Sequence, residues 1–381
     1  MRQRWTINGR FLAQPMTGVQ RYARQIVTTL DRLVGEGGEF ADAVELDLAV
    51  PRGAGGLDLQ HIPVRTIGRL TGHAWEQAEL PTCVRGGLLS LGNTGPLAIA
   101  NQIVCIHDLN PRICPESYSR SFRGLYRIIQ PLIGRRVRAI TTVSKFSAHQ
   151  IETFGIASAE RISVIPNGHE HVHAWRPRMS RAVAEASGED TIVLLGSAAP
   201  HKNVAAILGV ADRLVRDGFR IAVVGQSNPG IFAQQMPHVE GPGIAWLGRL
   251  EDAELAALLQ RSLCLAFPSL TEGFGLPPLE AMALGCPVVV SDRASLPEIC
   301  GDAALYADPT RMRHWHAQFR LLRRHPALRT ALVDRGLAQA RRFSWQRSAE
   351  LYLRMLARPS GARGPSVSEP TGSLPSTPAV Q

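Results

Sequence analysis

The alternation of apolar strand and amphipathic helix, repeated twice along the chain, restricts the fold more than any other feature. Apolar runs such as VELDLAV, QIVCIHD and ISVIPNG in the first half are separated by helical patterns such as GVQRYARQIVTTLDRLV. The pattern starts again at TIVLLGSA and continues through RIAVVGQ, CLAFPSL and PVVVSD. Such strands between amphipathic helices are typical of parallel sheets covered on both faces. The sequence therefore predicts an α/β protein with two doubly wound, Rossmann-like domains.

The predicted domain boundaries follow from the interruptions in this pattern. The polar, irregular segment 167–190 separates the two sets of strands, so we place the N-terminal domain at 1–170 and the C-terminal domain at 171–342. FSWQRSAELYLRML predicts one further helix within 343–357, and the Pro-, Ser-, Gly- and Thr-rich tail 358–381 is predicted to be disordered. Since ligands of open α/β sheets bind beyond the carboxyl ends of the strands, we expect the site in the cleft between the domains.

Composition narrows the class of protein. The sequence has no run of about 18 apolar residues and no signal-peptide pattern, so we expect a cytoplasmic protein. Six scattered cysteines without a C-x-x-C pair argue against a zinc site or a disulfide framework. The net charge is +10, and almost all of the basic residues are arginines. The only lysines are Lys145 and Lys202. A lysine that survives such a bias is a candidate for a task that needs a compact ammonium.

Several nucleotide-binding motifs are absent from the sequence. No G-x-G-x-x-G follows a predicted strand, which weakens a dehydrogenase interpretation, and no G-x-x-x-x-G-K-[ST] exists, which excludes a P-loop. No D-x-D triplet is present, which weakens a metal-held sugar nucleotide. A nucleotide site in this chain must therefore be built from other residues.

The stretch FPSLTEGFGLPPLE, residues 267–280, is the main candidate. We expect a strand to end near Ser269 and a helix to begin at the two prolines, because proline suits a first helical turn. Glycines in the loop let the backbone approach a ligand, and free N–H groups at a helix start favour an anion such as a diphosphate. Glu280 is placed to accept hydrogen bonds from a ribose diol, and Glu272 suits the hydroxyls of a sugar ring. The structural alternative is a strand–turn–helix with two solvated glutamates.

The same stretch carries a family resemblance. TEGFGLPPLEAMALGCPVVVSDRASLPEICGDAALYADP resembles the glutamate–x7–glutamate region of the retaining glycosyltransferases of family 4. INGRFLAQPMTGVQRYARQI, VCIHDLNP, TTVSKFSAHQI and LGSAAPHKN follow in the family's order, and the resemblance covers roughly residues 4 to 357. It implies the GT-B fold, with an acceptor-side first domain, a nucleotide-sugar-binding second domain and a final helix that crosses back to the first.

The resemblance implies roles for residues of the second domain. Glu280 would bind the donor ribose, and Glu272 the 3- and 4-hydroxyl region of the donor sugar. Lys202 would neutralise the departing diphosphate, which agrees with its being one of two lysines. Relatives often have an arginine where this chain has Ser197, so that charge is missing or comes from elsewhere, with His201 as one candidate. The loop backbone would meet the sugar and diphosphate at Gly273, Phe274, Gly275 and Leu276.

The resemblance also implies roles for residues of the first domain. Gly18 in QPMTGVQRY resembles the family's glycine loop beside the donor phosphate and the acceptor, and a helix start capped by Thr17 is compatible with that role. His107 ends the strand QIVCIHD, where the family has a histidine that approaches the reacting sugar. Asp108 serves either as a base or as a group that orients His107, and the sequence leaves both open.

The expected reaction is transfer of a hexose, with retained anomeric configuration, from a nucleotide sugar to a lipid-linked saccharide in bacterial exopolysaccharide or O-antigen synthesis. GDP-mannose is our first candidate donor, and rhamnosyl or UDP-hexose donors are alternatives. We expect no metal, no cofactor and no nucleic-acid partner. A nucleotide-sugar hydrolase or epimerase of the same fold, and a non-catalytic nucleotide-sugar-binding protein, are the rival classes.

The segment YSRSFRGLYRIIQPLIGRRVR, residues 118–138, predicts a basic amphipathic helix. Arg120, Arg123 and Arg127 share one face, and the other face contains Phe122, Tyr126, Ile129 and Ile133. A helix of this kind either lies on an anionic membrane surface or simply packs its apolar face on the sheet. We therefore predict peripheral membrane association driven by charge, with ordinary packing as the alternative.

The histidines of NGHEHVH, residues 167–173, alternate along the sequence. An extended segment would place all three on one side, which suggests a metal site. A solvated interdomain linker explains the pattern without a metal, and we favour that interpretation.

Overall fold

The computed structural model describes residues 2–196, 199–225 and 241–359. The strands in these residues form two fully parallel sheets, one of seven strands and one of six. The first has the order β3-β2-β1-β4-β5-β6-β7, and the second has the order β10-β9-β8-β11-β12-β13. Their strands are β1 (Gln3–Asn8), β2 (Val44–Pro51), β3 (Val64–Ile67), β4 (Gly87–Ser90), β5 (Gln102–Cys105), β6 (Ala139–Thr142), β7 (Ile162–Val164), β8 (Thr191–Leu195), β9 (Arg220–Val224), β10 (Ile244–Gly248), β11 (Cys264–Phe267), β12 (Val288–Ser291) and β13 (Ala304–Ala307).

Helices connect most of these strands. Those that accompany the first sheet are α1 (Gly18–Glu36), α2 (Glu39–Asp42), α3 (Gly72–Ala74), α4 (Asn110–Ile113), α5 (Arg120–Arg136) and α6 (Lys145–Thr153). Those that accompany the second sheet are α7 (Arg181–Ala186), α8 (Val204–Leu208), α9 (Ala211–Arg216), α10 (Asp252–Gln260), α11 (Leu276–Ala283), α12 (Leu296–Cys300), α13 (Met312–Arg324) and α14 (Pro326–Ala340). The last described helix is α15 (Trp345–Ala357).

Both sheets reverse their winding direction at a central strand. In the first sheet β1 lies between β2 and β4, and in the second sheet β8 lies between β9 and β11. A doubly wound sheet leaves a crevice at the carboxyl ends of the strands where the order reverses. The segments that follow β5, β8 and β11 therefore carry their residues towards the cleft.

Burial confirms the predicted α/β class with two Rossmann-like domains. Every residue of β4, β5, β11 and β12 is buried, as expected for parallel strands covered on both faces. The strands of the first sheet end by residue 164 and those of the second begin at residue 191. The boundary at residue 170 itself stays a prediction, and most of the predicted disordered tail, residues 360–381, lies outside the described residues.

The final helix returns to the first domain, as predicted. The Tyr352 hydroxyl of α15 lies 3.0 Å from the hydroxyl of Tyr22 in α1 and 2.8 Å from the Thr141 hydroxyl in β6. The Trp5 indole of β1 donates to the Leu356 carbonyl oxygen at 2.9 Å. These buried contacts fix α15 on the first domain, although the chain reaches it from the second.

The interpretation of residues 167–173 as a solvated linker is wrong in its central part. Residues Glu170–Ala174 form a 3₁₀ turn in which His171 and Val172 are buried. His169 is also buried and its Nδ1 lies 2.7 Å from the Phe343 carbonyl oxygen, while His173 is exposed. In the described residues, no three His, Cys, Asp or Glu side chains are grouped closely enough to hold a metal ion.

Among the described helices, none combines the length and the apolarity that a bilayer crossing requires.

Candidate active site

A cavity of about 740 Å³ lies between the two sheets, within the size range of small-molecule sites. One wall consists of the start of α1 and the segment after β5, and the other consists of the segments after β8, β10 and β11. Ser197, a predicted donor-binding residue, lies outside the described residues. The cavity brings together the other predicted site residues, namely Gly18, His107, Asp108, Lys202, Glu272, Gly273, Phe274, Gly275, Leu276 and Glu280.

In the loop after β11 the carbonyl oxygens accept hydrogen bonds, whereas the N–H groups have no partner among the described residues. Ser295 Oγ lies 3.0 Å from the Glu272 carbonyl oxygen and 2.8 Å from that of Phe274. Ser144 Oγ, from the first domain, donates to the Gly273 carbonyl oxygen at 2.6 Å. The N–H groups of residues 273–275 have no acceptor within the described parts of the chain. They are therefore available to an anion in the cavity that this loop lines.

The helix after this loop begins where the prolines predict. Gly275 precedes α11 with φ 100°, a left-handed conformation that side chains rarely adopt, and a Cβ there would lie 2.7 Å from Leu296 Cδ2. Leu276 is the first helical residue and the two prolines follow it. Glu280 consequently lies in the second turn of α11.

Lys202 and Glu272 form an ion pair on the cavity wall, with 2.7 Å between Nζ and Oε1. Lys202 ends a 3₁₀ turn, and Asn203 follows it in the left-handed region with φ 53°. The Asn203 amide donates to the Pro268 carbonyl oxygen at 3.1 Å, which ties this turn to the end of β11. The ammonium is thereby held beside the loop whose N–H groups are unoccupied.

His201 does not supply the charge of the missing arginine. Burial and, secondly, the neighbouring Lys202 ammonium lower the pKa of His201, so its imidazole is neutral near pH 7. In the described residues, the cationic side chains that line the cavity are Arg21, Lys202 and Arg249.

Glu280 is held by side chains from outside its own helix. Its Oε1 lies 2.8 Å from His171 Nε2 and 3.5 Å from Arg21 Nε. Arg21 of α1 also forms a bidentate salt bridge with Asp252, with 2.8 and 2.9 Å between guanidinium nitrogens and carboxylate oxygens. One arginine of the first domain thus contacts two carboxylates of the second at the cavity wall.

His107 and Asp108 form the opposite wall, after β5. His107 Nε2 lies 2.9 Å from the Leu91 carbonyl oxygen, and the His107 N–H donates to Asn93 Oδ1 at 2.7 Å. Burial raises the pKa of Asp108, and the nearby Glu272 carboxylate adds to the increase, while the Asn110 N–H and the His107 and Lys202 charges oppose it. Asp108 therefore holds a proton more readily than an exposed aspartate does.

Tyr118 lies near the Asp108 and Glu272 carboxylates. Burial raises the pKa of Tyr118, and the Asp108 and Glu272 carboxylates raise it further. The phenol is consequently protonated at neutral pH and is a hydrogen-bond donor beside both carboxylates. Its ring is parallel to that of His201, with 6.0 Å between centroids, so it connects the first domain to the turn that carries Lys202.

The two domains are joined by further contacts around the cavity. Both Glu298 carboxylate oxygens, from α12, accept hydrogen bonds from first-turn N–H groups of α6, at 2.8 Å from Lys145 and 3.1 Å from Phe146. A carboxylate of the second domain therefore satisfies N–H groups that would have no partner at the start of a first-domain helix. These hydrogen bonds join the two domains directly.

Three residues of the site were missed by sequence reasoning, namely Arg21, Tyr118 and His171. Arg21 follows Gly18 by three residues, so helical spacing alone could have placed it near the cleft. Tyr118 had been assigned only to the amphipathic segment, and His171 only to a solvated linker. No local pattern distinguishes these two from ordinary surface residues.

Comparison with known proteins agrees with the geometry. The family described as "Glycosyl transferases group 1" matches residues 176–338, which include Lys202, Glu272 and Glu280. The chain contains a glycosyltransferase group 1 domain. The matched segment begins just after the turn at residues 170–174 and ends within α14.

Two curated relatives are similar to this chain over most of their own length. It is 25% identical to the O-antigen chain mannosyltransferase RfbU of Salmonella typhimurium, over 83% of this chain and 90% of that protein. It is 29% identical to the O-antigen chain mannosyltransferase B of Escherichia coli, over 66% of this chain and 68% of that protein.

Solved structures with low sequence identity to this chain share its fold. Sucrose-phosphate synthase from Thermosynechococcus elongatus superposes with a TM-score of 0.68 at 16% identity, over 93% of this chain and all of that one. WaaG, a glycosyltransferase of lipopolysaccharide biosynthesis, superposes with a TM-score of 0.66 at 14% identity, over 93% of this chain and 99% of that one. These similarities confirm the GT-B fold.

Proposed function

We propose that this glycosyltransferase transfers mannose from GDP-mannose, with retained anomeric configuration, to a lipid-linked saccharide of a bacterial surface polysaccharide. The observation that carries the proposal is the Lys202–Glu272 pair beside a loop with unoccupied N–H groups. Within one cavity, Lys202 provides a positive charge for a diphosphate, and Glu272 provides a carboxylate that accepts hydrogen bonds from the hydroxyls of a sugar ring. The O-antigen mannosyltransferases among the relatives support mannose and the polysaccharide context.

Each site residue has a task in this proposal. The N–H groups of residues 273–275 and the Lys202 ammonium bind the diphosphate and stabilise the charge that develops on it as it leaves. Glu272 accepts hydrogen bonds from the transferred sugar, and Glu280 accepts them from the ribose. His107 and Asp108 approach the sugar from the first domain. The protein acts by positioning and by charge stabilisation, and the departing phosphate helps to remove the acceptor proton.

We propose that the transfer needs no metal ion, because Lys202 and the loop N–H groups supply the positive charge that the diphosphate requires. A radiolabelled donor panel tests donor, acceptor and metal together. GDP-mannose, UDP-glucose, UDP-galactose and a nucleotide-activated rhamnose are incubated with a lipid extract from a polysaccharide-producing bacterium, with and without EDTA. We expect transfer from GDP-mannose, unchanged by EDTA, with an α-linked product identified by NMR. Transfer only from another donor would overturn GDP-mannose as the donor. A β-linked mannose product would overturn the retained configuration, and loss of activity in EDTA would overturn metal independence.

We further propose that α5 places the enzyme on the surface of an anionic bilayer, where a lipid-linked acceptor resides. The face of α5 that packs on the protein is the predicted apolar face, and Ile129 and Ile133 are buried there. A second, exposed apolar stripe consists of Leu125, Ile128 and Leu132, which are 39%, 66% and 38% exposed. Exposed arginines on the same helix flank this stripe, at Arg120, Arg127, Arg135 and Arg136. Apolar side chains with flanking arginines are the composition of an interfacial helix.

Changing Ile128 to aspartate is expected to weaken binding to phosphatidylglycerol vesicles at least about tenfold, since it removes a large apolar contact and adds a repelled charge. Vesicle co-sedimentation at low salt measures this, with phosphatidylcholine vesicles as the neutral comparison. Val64→Asp is the matched control, because Val64 is 48% exposed on the edge strand β3, away from α5. Equal binding by both variants, or no vesicle binding by the unaltered enzyme, would show that α5 is an ordinary packed helix.

A further inference from the structure

A residue of the crossing helix α15 fixes which ring nitrogen of His171 accepts a hydrogen bond. The Trp345 indole N–H, at the start of α15, donates to His171 Nδ1 at 2.9 Å. An indole nitrogen is a donor only, so Nδ1 carries no proton and the proton of the neutral imidazole lies on Nε2. Nε2 lies 2.8 Å from Glu280 Oε1 and therefore donates to it. The side chains of His171 and Glu280 are 2% and 7% exposed, so water does not replace these bonds.

The two oxygens of Glu280 have different surroundings. Oε1 receives the His171 hydrogen bond and lies nearest to the Arg21 guanidinium. Oε2 has no hydrogen-bond partner within the residues that the structure describes. Because Glu280 lines the cavity, one oxygen is engaged by the protein and the other is left for a ligand hydroxyl.

The chain passes between the domains twice, once in the turn at residues 170–174 and once just before α15. Hydrogen bonds next to His171 join these two segments. The Glu170 carboxylate accepts a hydrogen bond from the backbone N–H of Trp345 at 2.9 Å and one from the Ser344 hydroxyl at 2.5 Å. His169 Nδ1 contacts the Phe343 carbonyl oxygen at 2.7 Å. The interdomain turn and the start of α15 are thereby tied together directly behind Glu280. Trp345 cannot shift relative to His171 without breaking these bonds.

We propose that His171 is a positioning residue for the donor: Trp345 holds its Nε2–H form, and this form orients Glu280 so that Oε2 faces the ribose hydroxyls. The proposal rests on the proposed function, in which Glu280 binds the donor ribose. Its consequence is that the interdomain turn belongs to the donor-binding machinery. Loss of the His171 donor leaves Glu280 free to rotate and removes part of its affinity for the ribose.

The test compares the binding of GDP with that of 2′,3′-dideoxy-GDP by calorimetry, in the unaltered enzyme and in His171→Leu. The unaltered enzyme should bind the dideoxy compound about tenfold or more weakly, because hydrogen bonds to the carboxylate are lost. In His171→Leu, GDP should bind about tenfold more weakly, and the two compounds should differ by less than about threefold. A role confined to stability would lower Tm and leave the ratio between the two compounds unchanged.

Conservative variants keep the test decisive if His171→Leu does not fold. His171→Gln places an amide donor near the Nε2 position and should retain most of the ribose preference, whereas Trp345→Phe removes the donor that holds the imidazole ring in place and should reduce it. His173→Leu, an exposed neighbour in the same turn, is the matched control. An unchanged ribose preference in His171→Leu, or in Trp345→Phe when only that variant folds, would overturn the proposal. If neither GDP nor UDP binds the unaltered enzyme, the proposed function itself fails. If Glu280→Gln loses the preference for GDP over the dideoxy compound and His171→Leu keeps it, only the inference about His171 fails.

Discussion

Replacing Lys202 by alanine is expected to lower kcat on the order of 100-fold or more, as removal of one preorganised charge contact to a leaving group does. The ammonium lies 2.7 Å from Glu272, at the end of β11 and beside the loop N–H groups proposed to bind the diphosphate. The substitution also leaves the Glu272 carboxylate, itself 10% exposed, without its cation. Charge on the diphosphate grows as the sugar departs, so the loss should be larger in kcat than in the KM for the donor.

The chain offers a matched control for this experiment. Lys145 is its only other lysine and is exposed at the start of α6, so Lys145→Ala removes the same charge from the surface. The contact that Lys145 makes with Glu298 uses the backbone N–H, which alanine retains. Lys202→Arg should recover part of the lost rate, because it restores the charge with a different shape. Turnover of Lys202→Ala within a few-fold of the unaltered enzyme would remove Lys202 from the catalytic machinery.

The residues of the second domain were predictable because their signals are local. The strand end, the glycines and the prolines around Glu272 lie within one short stretch, and each has a direct conformational meaning. The near absence of lysine marked Lys202 independently. The structure confirms the helix start and places both residues on one wall, 2.7 Å apart. Their proposed roles stay predictions.

The remaining part of the site was not predictable because it depends on how the domains meet. Arg21 and Asp252 are 231 residues apart, and no sequence pattern relates them. His171 lies in a polar segment that resembles a solvated linker, yet it is buried because Trp345 and Glu280 converge on it. Such contacts are set by domain packing, which helix and strand periodicity does not encode.

Replacing Gly273 by alanine is expected to lower kcat/KM by about 100-fold, because it pushes the two walls of the cavity apart. A Cβ at Gly273 would lie 2.3 Å from the His107 carbonyl oxygen and 3.0 Å from Asp108 Cβ. These atoms belong to the backbone and the buried edge of the first domain, so they have little freedom to move. The Gly273 carbonyl oxygen also accepts from Ser144 Oγ at 2.6 Å, which prevents the loop from retreating alone. The domains must therefore separate, and a misplacement of about 1 Å between reacting groups is enough for a loss of this size.

The pattern of effects distinguishes this variant from Lys202→Ala. Alanine retains the N–H group at position 273, and the proposed diphosphate contacts come from the second domain, so GDP affinity measured by calorimetry should change by less than about threefold. Small-angle scattering should show a larger radius of gyration in the absence of donor. Gly56→Ala is the matched control, since a Cβ at Gly56 meets no atom within 4 Å. If Gly273→Ala retains full activity, the domains need not approach as closely as in this structure for transfer to occur, and His107 and Asp108 lose their place beside the reacting sugar.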